Sequence, residues 1–337
     1  MGALRTRFDV PHHDSCKLLV GIADSGRFES HPSLVVGLVQ ATPSIGAHCK
    51  QSAAMTDPAV ELRSALTYAT HDGVALQGDL YLPKMRGTVP ALVAVHGGGW
   101  QQGARSAFQY CGPHLATQGY AVFAISYRFA RKGQKAFPQA VQDVLAGVQF
   151  VRGSAAAFGI DPDCIALIGA SAGAHLAALA ALGGRSPVFI GGYPGETHAG
   201  VDTTVKALVG VYGVYDLAAM WETYRVTSPL DNNVENLLGA ALPENRQLYF
   251  DASPISYATY ANNKTAVLLA YGTEDDLVDR TQHSEAFLRA LKQGGFFVRI
   301  CVVQGAGHYW LSDPLDETGS YTGFFMPRLL RFLAEKL

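Results

Sequence analysis

The chain has 337 residues, 48% apolar and 16% charged, enough material for a sizeable core and too little charge for a chain disordered over most of its length. Its net charge of -2, from 26 basic and 28 acidic side chains, comes without a basic cluster of the kind that tracks a phosphate backbone, so nucleic acid is excluded as an expected partner. No apolar run approaches the roughly 18 residues of a membrane-spanning helix, and 36 glycines follow no repeat, so each has to be placed individually.

Residues 1–60 mix short apolar pieces such as Leu18-Leu19-Val20 with scattered Ser, Gly and His and hold no sustained period, which reads as a flexible N-terminal extension. The composition break makes Met55 an alternative start, and a targeting segment is the other reading of this stretch. Five cysteines (Cys16, Cys49, Cys111, Cys164 and Cys301) include no CxxC pair, which fits reduced thiols and a cytoplasmic protein, with secretion expected only if the first residues are a targeting signal.

From residue 61 a regular alternation sets in. Two antiparallel strands are predicted over 64–70 and 74–82 around the turn His71-Asp72-Gly73. Near-continuous apolar runs at 90–96 and 119–128 have the character of strands buried on both faces, with a helix over 107–118 between them. Val141, Val144, Leu145, Val148 and Val151 repeat at helical spacing behind Pro138 and predict a helix over 138–158. A strand at 164–169, a helix at 172–182 and a strand at 205–211 follow, then a strand at 265–270, a helix at about 280–293, a strand at 296–303 and a closing helix near 324–335. The fold class is therefore α/β: one doubly wound, mostly parallel sheet with an antiparallel entry hairpin, filling 61–337 as a single domain. Residues 217–263, with Trp221, Tyr224, Pro229, Pro243 and Pro254, break the rhythm and are expected to form a small cap over the strand ends.

Gly169-Ala170-Ser171-Ala172-Gly173 is a G-x-S-x-G sequence between a predicted buried strand and a predicted helix, the setting in which that pattern makes a strained turn and projects the serine oxygen at a helix N-terminus. Ser171 is the candidate nucleophile. Upstream, His96-Gly97-Gly98-Gly99-Trp100 follows another strand, and its bare glycines can present N–H groups to a developing oxyanion. Gly98 and Gly99, with the amide of Ala172, are the candidate donors. No Gly-Lys-Ser/Thr follows the glycines, which excludes a phosphate loop.

A serine needs a base, and the base an orienting acid. After the strand at 265–270 lie Glu274, Asp275, Asp276 and Asp279; spacing from Gly272 favours Asp275, with Asp276 and Glu274 as alternatives. After the last strand, His308 sits in Gly305-Ala306-Gly307-His308 and is the candidate base. His96 is expected to brace its loop, His175 to serve packing behind Ser171, and His283 to be a helix-surface residue. Trp100, Tyr309, Trp310 and Trp221, with Phe108 and Tyr110, are the aromatic candidates for lining a substrate pocket. No histidine and acid spacing suggests a metal site, and the chemistry calls for no cofactor.

These motifs, together with DLYLP at 79–83, SYR at 126–128 and SPISY at 253–257, resemble the α/β-hydrolase superfamily. Within it they are similar to hormone-sensitive-lipase-type esterases and to the branch holding feruloyl and acetylxylan esterases. The resemblance runs from about Leu80 to the C-terminus. It implies a serine carboxylesterase acting on a small-molecule ester, with Ser171 as nucleophile, Asp275 as acid, His308 as base and Gly98, Gly99 and Ala172 as oxyanion hole. Ala174 departs from relatives that carry a second glycine there, and the long helical N-terminal cap of the lipase-type relatives has no counterpart in residues 1–60. The expected substrates are short-chain or aromatic esters; the alternatives are an arylformamidase or other amide hydrolase, and a non-catalytic binding protein on the same fold.

Overall fold

The computed structural model describes residues 59–337. The expectations for the N-terminal extension, the Met55 start and a targeting segment fall outside the described residues.

The sheet has eight strands among these residues: β1 (Val60–His71), β2 (Val74–Pro83), β3 (Val89–Val95), β4 (Ala121–Ile125), β5 (Ile160–Ala170), β6 (Ala207–Val211), β7 (Ala266–Gly272) and β8 (Val298–Val303). Their order is β1-β2-β4-β3-β5-β6-β7-β8. β2 runs antiparallel to both β1 and β4, and every pairing from β4 onward is parallel. Asp72 and Gly73 at the hairpin turn have φ of 46° and 76°, the mirror-image conformation that matches strand twist and that an Asp-Gly pair adopts at low cost.

The helices are α1 (Cys111–Thr117), α2 (Gln139–Gly153), α3 (Ala155–Phe158), α4 (Ala172–Gly183), α5 (Leu217–Thr227), α6 (Asn233–Leu238), α7 (Arg246–Asp251), α8 (Ala286–Gln293) and α9 (Tyr321–Lys336). Alternate residues of each central strand feed two cores. Val93, Val95 and Leu167 pack with Val144 of α2, Leu176 of α4 and Phe287 of α8. On the other face Leu92, Ala94 and Ile168 pack with Leu115 of α1 and with Phe325 and Leu329 of α9. Burial on both faces is why these strands read as continuous apolar runs rather than alternating ones.

Three predicted helices differ in detail. The segment 107–118 divides into a 3-10 turn at Arg105–Phe108 and α1, because Pro113 has no N–H to donate and is tolerated only in the first turn of a helix. The segment 138–158 pauses at Ser154 (φ -98°, ψ 8°) before α3. The segment 280–293 opens with a π-helical turn, Thr281–Glu285, before α8.

β3 lies between β4 and β5. From β3 the chain leaves to α1 on one face, and from β5 it leaves to α4 on the other. Loops that part in this way open a crevice at the carboxyl ends of the two strands, where ligands settle in open α/β sheets. Residues 96–100 and Ser171 are the first residues on its two sides.

Candidate active site

Ser171 sits between β5 and α4 with φ 53° and ψ -122°, and its amide donates to the carbonyl of Val211 at 2.9 Å. Such backbone angles cost a non-glycine residue energy and persist only where the surroundings impose them. Here Gly173 does so: a Cβ at that position would lie 2.1 Å from the Val95 carbonyl oxygen, so only glycine lets α4 start directly against the end of β3. Four of the six non-glycine residues with positive φ among the described residues surround this crevice: Trp100, Ser171, Tyr212 and Tyr309.

His308 follows β8 and brings Nε2 to 2.9 Å from Ser171 Oγ. Its Nδ1 lies 2.7 Å from Asp275 Oδ2. Oδ1 of Asp275 accepts from the amides of Leu277 and Val278, each at 3.0 Å. Burial works to raise the Asp275 pKa, yet the His308 contact and the two amides outweigh it, and the net shift is downward. The carboxylate is therefore ionised at neutral pH. Tyr212 packs its ring against His308, with centroids 4.5 Å apart. Of the three acids that spacing leaves open, Asp275 meets His308, while Asp276 lines the adjoining cavity.

Opposite His308, Gly98 and Gly99 have φ of 121° and 58°. Among the described residues, the amides of Gly98, Gly99 and Ala172 donate to no protein acceptor. Ala172 is the first residue of α4, where an N–H has no partner within the helix. Behind the loop, Trp100 Nε1 donates to His175 Nδ1 at 3.0 Å, and His175 Nε2 donates to the Ala252 carbonyl at 2.8 Å. Burial lowers the pKa of His175 to about 4, so it is neutral and its tautomer is set by these two bonds. His96 is likewise buried, stacks on Tyr127 and donates through Nδ1 to the Gly97 carbonyl at 2.7 Å.

Two cavities meet at Ser171. One, of about 370 Å³, is lined by His308 and by polar residues including Gln101, Thr223, Tyr224, Asn233 and Asp276. The other, of about 360 Å³, is bounded by Ala104, Ala107, Phe108, Tyr212 and Leu311. Tyr309 touches both, and Trp100 lines the first while its indole is buried.

Three aromatic expectations are corrected. Trp310 is 2% exposed and packs against Tyr212 and Phe325 in the core under α9, because its neighbour Tyr309 turns the backbone into the left-handed region and sends the next side chain inward. Trp221 is turned away from the crevice, where its Nε1 donates to Glu235 at 2.7 Å and its ring meets Tyr249 edge-on. Tyr110 lines neither cavity. His283 is buried rather than on the helix surface: the π-helical turn carries it beneath the loop after β6, where Nδ1 accepts from the Tyr215 and Asp216 amides. Sequence reasoning passed over Tyr212, Asn233 and Gln101, whose only signal is proximity to strand ends and glycines. Among the described residues no group of three or more His, Cys, Asp or Glu side chains converges as a metal site, and no helix is long and apolar enough to cross a membrane.

A mostly parallel sheet wound on both sides, with a G-x-S-x-G turn at its switch point, defines an α/β-hydrolase. The chain belongs to the BD-FAE family, whose model matches residues 78–291. Among curated proteins it is similar to esterase LipC of Mycobacterium tuberculosis, with 34% identity over 69% of this chain and 55% of LipC. It is also similar to the probable carboxylic ester hydrolase LipM of the same organism, with 34% identity over 62% of this chain and 46% of LipM. The chain thus spans about half the length of these curated relatives. Among solved structures, an esterase of Thermogutta terrifontis, Est2, shares the fold at a TM-score of 0.65 and 24% identity, over 82% of this chain and 92% of Est2.

Proposed function

We propose that the chain is a serine carboxylesterase acting through an acyl-enzyme, with residues 61–337 as its catalytic unit and no cofactor. The observation that carries this reading is the continuous line from Asp275 through His308 to Ser171, beside three amides that, among the described residues, no protein acceptor uses. In the first step His308 Nε2 accepts the Ser171 hydroxyl proton as Oγ bonds to the ester carbonyl carbon. The amides of Gly98, Gly99 and Ala172 hold the oxyanion, each worth about 3–4 kcal/mol where charge develops. Collapse breaks the bond to the alcohol oxygen, which takes the proton from His308. Water then repeats the sequence with the same base and releases the acid.

The leaving oxygen has to come within reach of the proton on Nε2, and His308 lines only the polar cavity. The alcohol part is therefore assigned to that cavity and the acyl part to the apolar one. Its wall of Ala107, Phe108 and Leu311 fits a short-chain or aromatic acyl group.

The test is Ser171→Ala, assayed with p-nitrophenyl acetate and for labelling by a fluorophosphonate probe. Turnover and labelling should both disappear while thermal unfolding stays close to that of the parent chain. Persistent turnover in a folded Ser171→Ala protein sinks the proposal.

A further inference from the structure

Among the described residues, the insertion between β6 and β7 meets the loop after β3 at Gly99 and Gln101. Gln101 Nε2 donates to Asn233 Oδ1, and Asn236 Nδ2 donates to Gln101 Oε1 at 3.5 Å. Asn233 also lies directly over Gly99. Among the described residues, its amide is the only group within 4 Å of the place a Gly99 Cβ would occupy, with Nδ2 at 2.8 Å.

The rest of the loop has other anchors. Gly97 offers its carbonyl to His96, Gly98 offers its carbonyl to the amides of Gln101 and Gln102, and the Trp100 carbonyl accepts from Ala130. The Gly99 N–H shares a planar peptide with the Gly98 carbonyl, so its direction follows from the turn in which that carbonyl accepts from Gln101 and Gln102, and Gln101 is the residue whose side chain Asn233 holds. The Gly99 amide is one of the three proposed oxyanion donors.

Asn233 is itself held firmly. It opens α6, whose preceding residue Asn232 is 7% exposed and caps the helix by accepting from Val234 at 3.0 Å and Glu235 at 3.4 Å. Asn232 Nδ2 donates back to the Trp221 carbonyl at 3.2 Å, and Trp221 Nε1 donates to Glu235, locking α5 to α6. At the other end of α6 the Leu237 carbonyl accepts from Ala136 and Phe137, each at 3.1 Å, tying it to the body of the protein. Asn233 Nδ2 completes the arrangement by donating to the Tyr224 hydroxyl at 3.3 Å.

We infer that Asn233 is a positioning residue for the oxyanion loop: through Gln101 and by contact with Gly99 it fixes the direction of the Gly99 amide. This rests on the serine hydrolase reading above. A donor aimed in advance stabilises the transition state without reorganising, and a small misplacement is felt in the chemical step rather than in ground-state binding.

The experiment uses the full chain and p-nitrophenyl acetate, with Asn233→Ala, Gln101→Ala, the double variant and Ser171→Ala measured side by side. Each single variant should lower kcat by about ten- to a hundredfold while KM stays within about threefold of the parent. The double variant should be no slower than the slower single within about threefold, because both remove the same link. Thermal unfolding of each is followed in parallel, and Gln101→Ala, on the loop rather than in the insertion, keeps the test open if Asn233→Ala fails to fold. An unchanged kcat in either folded single variant, a loss confined to KM, or losses that multiply in the double variant would each overturn the inference. If Ser171→Ala still turns over, the hydrolase reading itself falls; if it is inactive and Asn233→Ala is fully active, only the positioning role falls.

Discussion

Replacing Asp275 by Asn changes one atom of the line that ends at Ser171, and the geometry dictates how. Oδ1 already accepts from the Leu277 and Val278 amides at 3.0 Å, so the new side chain keeps its oxygen there and turns its NH2 toward His308 Nδ1. A donor at that position forces Nδ1 to become the acceptor and moves the ring proton to Nε2, 2.9 Å from Ser171 Oγ. The imidazole then donates to the serine where it should accept from it. The expected loss in kcat is about 10⁴-fold, equivalent to about 5.4 kcal/mol of transition-state stabilisation. The assay is kcat on p-nitrophenyl butyrate between pH 5 and 9, with thermal unfolding recorded on the same samples. Because the native carboxyl has a lowered pKa, its stabilisation is complete above about pH 4 and lost as pH falls through the native value, so the variant's stability should vary less with pH in that acid range. A folded Asp275→Asn protein within tenfold of the parent kcat would refute the argument, and more so if Asp276→Asn were the slower enzyme.

Three further outcomes are expected. Gly98→Ala puts a Cβ 2.1 Å from the Gln102 carbonyl oxygen at φ 121°, so kcat on p-nitrophenyl acetate should fall by about 10²–10³-fold through displacement of the loop. Ala107→Phe fills the apolar cavity and should shift preference toward acetate in an acyl-chain series, with the largest loss on octanoate or aromatic acyl esters. His96, His175 and His283 are buried with pKa values lowered to about 4. The unfolded chain protonates these groups near pH 6.5 and the folded chain resists until about pH 4. Denaturant-derived stability should therefore be unaffected by them above pH 6.5 and decline between pH 6.5 and 4, with an uptake on unfolding approaching about three protons. A flat profile across that window would show that they are already charged in the native state.

The proposed nucleophile, acid and base are legible in the sequence because each follows the end of a strand near a glycine. Ser171 follows β5, Asp275 follows β7 and His308 follows β8, and parallel neighbours bring these ends to one edge of the sheet. Trp310 and Trp221 lie away from the crevice because nearness along the chain says nothing about the direction of a side chain. Tyr309, with φ 69°, inverts the direction that an extended reading gives its neighbour, and α5 turns Trp221 toward α6 and α7. A helix of ordinary pitch through 280–293 would put His283 on the surface, whereas the π-helical turn rotates it inward. The insertion's contribution is invisible for another reason. Asn233, Tyr224 and Gln101 act by hydrogen bonds across 132 and 9 residues of chain, and no local period encodes such pairs.

The crevice is closed from beneath by backbone meeting backbone, since a methyl group at Gly173 or Gly169 would strike main-chain oxygens at 2.1 and 2.4 Å. Main-chain atoms are the same in every residue. The floor that strains Ser171 and frees the Ala172 amide therefore tolerates almost no change at those glycines, yet it places few demands on the side chains of Ala107, Phe108 and Leu311 around the apolar cavity. The acyl selectivity proposed above can therefore drift at those positions while the turn that carries Ser171 stays unchanged.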